Sequence, residues 1–90
     1  MEYYVYLAEC CDKTLYCGYT TDIIKREKCH NSGKGAKYTK ARLPVSIVYF
    51  ENCASKSDAL KREAAIKKLT RAEKLALIKT SNFAKAKSEE

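Results

Sequence analysis

From Tyr3 to Glu9 the side chains fall into two alternating sets, Tyr3, Val5 and Leu7 on one face and Tyr4, Tyr6 and Ala8 on the other. A period of two carried by aromatic and β-branched residues predicts a strand, and both faces are apolar enough to be covered. Cys11-Asp12-Lys13-Thr14 has turn composition and Leu15 to Thr20 reads as a second strand, so the pair predicts an antiparallel hairpin. Gly18 interrupts that second strand, which marks a bulge or a place where another group must approach the backbone closely. The pattern then changes period. Asp22 or a neighbouring Thr can cap a helix through Ile23, Arg26 and His30, with Gly33 as its left-handed stop, although its apolar face is thin. Residues 33–42 carry almost no core-forming side chain and read as an exposed basic loop, ended by Pro44. Val45 to Glu51 is the third and most apolar strand, suited to pairing with a hairpin strand on the sheet interior. Ser55 with Asp58 and Thr70 with Glu73 resemble capping boxes, opening helices that end near Lys68 and Lys79. From Thr80 onward the chain is polar, and residues 80–90 are expected to form a disordered tail.

The order ββαβαα predicts an α+β domain, a small three-stranded antiparallel sheet flanked by helices. Ninety residues suit one such domain, whose limited core leaves room only for a shallow site. Charge adds a direction to this picture. The chain carries 18 Lys and Arg against 11 Asp and Glu, a net +7 that favours a polyanionic partner. Residues 1–22 hold one Lys against four acids, whereas residues 23–50 hold seven basic residues against Glu27 alone, so the middle third is the basic face. The five cysteines are odd in number and lack CxxC spacing, and no signal-like segment or membrane-length apolar run appears. A soluble cytoplasmic protein with reduced thiols and no membrane partner is expected.

Several residues do not fit a plain core. Glu63 shares the face of Ala59 and Ile66 on its helix, so a carboxylate sits in the apolar stripe. It either reaches the edge and pairs with Lys67 at i+4, or it aims at a site where a hard metal ion can use it. Arg26 and His30 lie one turn apart and present a guanidinium and the chain's single imidazole to one patch. Seven tyrosines with no Trp form an aromatic set biased to hydroxyl-bearing rings; Tyr3, Tyr19 and Tyr49 read as core or edge residues, while Tyr6 and Tyr16 sit in adjacent hairpin strands near Gly18. Tyr38 lies among Lys34, Lys37, Lys40 and Arg42, where an aromatic ring among cations suits nucleic acid. Cys29 and His30 point about 100° apart on a helix, which disfavours both a chelated zinc and a thiol nucleophile.

The ordered set Tyr4-Val5-Tyr6, Tyr16-Cys17-Gly18, Arg26, His30 and Glu63 resembles the GIY-YIG nuclease domain. Segments 18–22, 30–45 and 59–66 resemble its small single-domain bacterial members, which are related to the nuclease subunit that cuts branched DNA. The likeness spans about residues 2–79, so that 1–79 forms the nuclease-like domain. Tyr4 stands where the family's first motif has glycine, and residues 64–79 hold no counterpart of a downstream asparagine. The resemblance implies phosphodiester hydrolysis with one divalent ion, Mg²⁺ or Mn²⁺, and catalytic roles for Tyr6, Tyr16, Arg26, His30 and Glu63, with Glu63 binding the metal. DNA is the implied substrate, with RNA left open, and DNA repair or recombination the implied setting. Lys34, Lys37, Tyr38, Lys40 and Arg42 are the expected nucleic-acid contacts. Two other classes fit the same residues: a nucleic-acid-binding module of the nuclease fold that cuts little alone, and an adaptor to a larger repair partner that supplies specificity.

Overall fold

The computed structural model describes residues 2–80 and contains β1 (Tyr3–Glu9), β2 (Leu15–Thr20), α1 (Ile23–Asn31), α2 (Lys37–Lys40), β3 (Ser46–Cys53), α3 (Lys56–Lys67) and α4 (Arg71–Thr80). Most of the expected tail lies outside the described residues. The three strands form one antiparallel sheet in the order β2-β1-β3. The central place goes to β1, whose Val5, Tyr6, Leu7 and Ala8 are all fully buried. That explains its two apolar faces. β3 pairs with β1 but occupies an edge, so the interior position belongs to β1 and not to the strand with the most apolar sequence.

The sheet separates two cores. On one face Val5, Leu7 and Cys17 pack with Tyr49 and with Ala59 and Ile66 of α3, joined by Leu77 and Ile78 of α4. Both helices are started by side-chain caps. Ser55 Oγ accepts from the Asp58 N–H at 3.1 Å, and Thr70 and Glu73 complete a reciprocal box, with the Thr70 N–H donating to Glu73 Oε1 at 2.8 Å. Arg62 donates twice to Glu51 of β3, at 2.7 and 2.9 Å, and the Tyr49 hydroxyl donates to the same carboxylate. This fork ties α3 to edge strand β3 one residue before Glu63, while Ala59 and Ile66 turn the buried face of the helix to the sheet.

The opposite face buries Tyr6, Ala8, Cys10, Val45 and Ile47 beneath α1 and the segment that follows it. Asp22 caps α1 by accepting from the Lys25 N–H at 3.0 Å, and Gly33 lies just past the helix at φ 83°. The thin apolar face of α1 is compensated by polar docking. Glu27 accepts from the Ile47 N–H at 2.7 Å, and the Asn31 amide both accepts from the Val45 N–H at 2.7 Å and donates to its carbonyl at 3.0 Å. Two side chains one turn apart thus satisfy the backbone at the start of edge strand β3.

The segment 33–42 departs from the exposed loop expected of it. Residues Lys37–Lys40 form the single-turn helix α2, and Thr39 is fully buried. A short polar side chain can be buried without cost from unpaired groups when its hydroxyl is satisfied, and that of Thr39 donates to the Ala36 carbonyl at 2.9 Å. Arg42 fastens the far end by a 3.0 Å contact with Asp12, and its carbonyl accepts from the Cys11 N–H at 3.0 Å.

Candidate active site

The site is built outward from a glycine. Tyr6 of β1 stands directly opposite Gly18 of β2, and both point to the α1 face of the sheet. A Cβ at Gly18 would lie 2.7 Å from the Tyr6 hydroxyl, 2.9 Å from its Cζ and 3.1 Å from Tyr16 Cε2. The tyrosine ring therefore lies across bare backbone, which explains the strand glycine without a bulge, since the β1–β2 register runs unbroken through it.

The Tyr6 hydroxyl meets His30 Nε2 at 2.8 Å, and His30 Nδ1 meets Thr39 Oγ1 at 2.7 Å. Thr39 has one hydroxyl hydrogen, already donated to Ala36, so it accepts from Nδ1–H. The neutral ring then presents its Nε2 lone pair to the Tyr6 O–H. Arg26 Nε donates to the same Tyr6 oxygen at 3.3 Å, and its Nη1 contacts Cys29 Sγ at 3.8 Å. The chain Thr39–His30–Tyr6–Arg26 links α2, α1 and β1 in one network whose inner members are fully buried. Burial, with a smaller contribution from Arg26, holds the His30 imidazole below its ordinary pKa of 6.5. Burial likewise pushes the Tyr6 phenol up to about 12, with the Arg26 hydrogen bond opposing. Both are uncharged near neutral pH, and Arg26 carries the charge.

Tyr16 completes the aromatic side of the site. Its ring is edge-on to His30 at 5.5 Å and stacks with Tyr38 at 6.0 Å, and its hydroxyl has no hydrogen-bond partner among the described residues. It lines a depression of about 250 Å³ together with Leu15, Cys17, Tyr38, Lys67 and Lys74. Arg26 lines a separate one with Lys25 and Asp22. Tyr38 is itself stacked, with the Arg42 guanidinium 3.9 Å above its ring. Lys34, Lys37 and Lys40 are exposed around it.

Glu63 approaches from the other face of the sheet, on α3. Its carboxylate lies 3.4 Å from Lys67 Nζ, the i+4 pairing, and its backbone carbonyl accepts from the Cys17 thiol at 3.8 Å. Cys17 is buried against α3, and burial, reinforced by the Glu63 charge, raises its thiol to about 11. The hydrogen-bond network thus gathers Tyr6, Arg26 and His30, places Tyr16 against them, and leaves Glu63 outside it beside edge strand β2. Among the described residues no group of three or more His, Cys, Asp or Glu forms a metal cluster. A lone carboxylate is an unsuitable donor set for structural zinc, but it suits Mg²⁺ or Mn²⁺, which keep several waters and take further oxygens from a phosphate.

Sequence reasoning missed Thr39 and Gly35. A Cβ at Gly35 would lie 2.4 Å from His30 Nδ1 and 2.8 Å from His30 Cα, so the segment after α1 closes over the histidine only because residue 35 lacks one. The signal available was the glycine itself, in a stretch otherwise read by its lysines.

This geometry can be set against known proteins. The family model described as the GIY-YIG catalytic domain matches residues 2–76. The chain belongs to the GIY-YIG family. The GIY-YIG domain is a nuclease fold, and relatives of high identity span most of this chain. A UPF0213 protein of Syntrophus aciditrophicus (strain SB) is 64% identical over 77 residues, covering 84% of this chain and 88% of its own length. The UPF0213 protein SpyM50708 of Streptococcus pyogenes serotype M5 (strain Manfredo) is 59% identical over 78 residues, covering 86% and 85%. The solution structure of protein EF2693 from E. faecalis is 44% identical with a TM-score of 0.60, covering 89% of this chain and 85% of that one. Where this GIY-YIG chain has Tyr4 in the first motif, the ring packs edge-on against Phe50 at 5.7 Å. No helix among the described residues is long and apolar enough to cross a membrane.

Proposed function

We propose that this protein is a divalent-metal-dependent endonuclease that hydrolyses phosphodiester bonds in DNA, in repair or recombination within the cytoplasm. The observation that supports this most is the buried Tyr6–His30 pair over Gly18, which holds Arg26 by its Nε while Tyr16 keeps an unpaired hydroxyl beside it. In this reading the Nη hydrogens of Arg26 bind the scissile phosphate as a planar, permanently charged fork. The Tyr16 hydroxyl meets the attacking water or the leaving oxygen, within hydrogen-bond reach of the reacting atoms. Tyr6 and His30, both fully buried, act as positioning residues that keep Arg26 aimed outward. Glu63 holds one Mg²⁺ or Mn²⁺, which when bound neutralises charge developing on the phosphoryl oxygens. The exposed Lys34, Lys37 and Lys40, with Arg42 and Tyr38, supply contacts that carry no sequence information, so substrate choice rests on DNA shape or on a protein partner.

A second reading is a binding module that cuts little alone. The Glu63–Lys67 contact favours it, because an ammonium group already occupies the carboxylate. A cleavage panel over linear, flapped, four-way and single-stranded DNA, and matching RNA, separates the two. Strand scission that requires Mg²⁺ or Mn²⁺ is expected on at least one DNA; binding to all of them without scission would favour the module.

A further inference from the structure

Two depressions beside the site share Leu15, Tyr38 and Lys74 in their walls and so form one continuous groove. The portion of about 250 Å³ opens on Tyr16 and carries Lys67; the portion of about 150 Å³ continues to Thr14 and Arg71. Three cations from the α3–α4 corner therefore meet here: Lys67 is the last residue of α3, Arg71 the first of α4, and Lys74 lies one turn further. Leu69, between the helices, packs into the core and fixes that corner. Arg71 is held by a 2.6 Å hydrogen bond from its Nη1 to the Lys13 carbonyl in the hairpin turn.

The groove is lined by no acidic residue. Among the described residues, Arg71 and Lys74 have no carboxylate partner, and Lys67 has only Glu63. Unbalanced cations in one concave strip repel one another and focus a positive potential, which an evenly spaced polyanion relieves. Leu15, Cys17 and Tyr38 add apolar and aromatic walls suited to sugars and base edges. An acidic peptide could use the charges, but it has no reason to end at Tyr16, whereas a nucleic-acid strand whose phosphate is held at Arg26 and Tyr16 must leave the site in some direction.

We propose that this groove is a phosphate track that carries the nucleic-acid strand away from the reaction centre, with Arg71 and Lys74 as its contacts. The basic face read from residues 23–50 is thus only half of the binding surface. The proposal rests on the nuclease reading, yet it is tested by binding alone.

The experiment measures anisotropy of a labelled DNA duplex with the full chain in EDTA, over a salt series, for wild type, Lys74→Gln, Arg71→Gln and the double variant. Lys61→Gln, exposed and outside the groove, is the control. Each phosphate contact adds about 0.9 to the log–log salt slope, equivalent to about eightfold in affinity at about 0.1 M salt. Lys74→Gln is expected to lower the slope by about that amount, and the double variant by about twice it. If Arg71→Gln fails to fold, Lys74→Gln alone decides. An effect of Lys74→Gln no larger than that of Lys61→Gln overturns the track, as does poly-glutamate displacing DNA at equal charge, which would assign the groove to an acidic protein. Loss of binding in the variants of a protein that cuts nothing would sink the nuclease reading and keep the track; cleavage with unchanged binding would do the reverse.

Discussion

Replacing Gly18 with alanine tests the centre of the site with a single methyl group. The new Cβ would lie 2.7 and 2.9 Å from Tyr6 Oη and Cζ, well inside contact distance. A flexible side chain would move aside at little cost, but Tyr6 is a rigid ring, fully buried and held by His30 at 2.8 Å and Arg26 at 3.3 Å. Either the β1–β2 pairing opens or the ring shifts and the hydroxyl leaves His30. Overpacking costs about 1–3 kcal/mol. A buried hydrogen bond broken with its partners left unsatisfied costs about 1–3 kcal/mol more. We expect Gly18→Ala to lose about 2–6 kcal/mol in urea unfolding, a drop in Tm of at least about 8 °C for a domain of this size. The double variant Gly18→Ala/Tyr6→Phe removes the closest clashing atom, so its loss should fall short of the two single losses together by about 1 kcal/mol. A stability within about 0.5 kcal/mol of wild type, the range of an ordinary surface substitution, or strict additivity with Tyr6→Phe, would refute the reasoning.

Thr39→Val keeps the volume but strips the acceptor from His30 Nδ1; it should cost about 1–3 kcal/mol and change the ¹⁵N signature of the His30 ring, and an unchanged ring spectrum would contradict the assigned tautomer. His30 also sets a pH dependence. Its folded pKa lies below 6.5, so the unfolded chain binds more protons under acid conditions; the stability it contributes is complete above about 6.5 and is lost as the pH falls through the folded value. His30→Gln should flatten that part of the curve relative to wild type, and parallel curves would argue against it. Tyr6 acts at the other end: its phenol is raised from 10.0 to about 12, so its contribution persists below pH 10 and fades as the pH rises through 12, a decline that Tyr6→Phe should reduce in alkaline unfolding.

The hairpin and the two C-terminal helices were legible because their signals are local. Alternation over Tyr3–Glu9 and the Ser55 and Thr70 caps each lie within a few residues of the structure they specify. Tyr6 and Gly18 also stood out, since a glycine in a strand asks what lies across it. What was not legible depends on partners far along the chain. Thr39 reads as one polar residue among lysines until α1 brings His30 to it, and the α1 docking by Glu27 and Asn31 uses backbone groups of β3 that no helical periodicity marks. β3 is the more apolar strand by sequence, yet β1 is central, and its alternate residues feed the cores on both faces of the sheet, Val5 and Leu7 on one and Tyr6 and Ala8 on the other. The charge pattern drew attention to residues 23–50 because the cations there are dense in sequence. Lys67, Arg71 and Lys74 are mixed with acids along the chain and become a strip only where α3 turns into α4.

The central proposal is that Tyr16, Arg26 and Glu63 all act on one phosphodiester. It is tested most directly by the single-turnover rate constant for scission of labelled DNA in Mg²⁺, compared among wild type, Tyr16→Phe, Arg26→Ala and Glu63→Gln. Losing a charge-stabilising contact to the transition state costs about 10²–10³-fold, so each variant should fall at least about 10²-fold while its urea midpoint stays near that of wild type. Scission by Glu63→Gln and Tyr16→Phe at the wild-type rate would contradict the account.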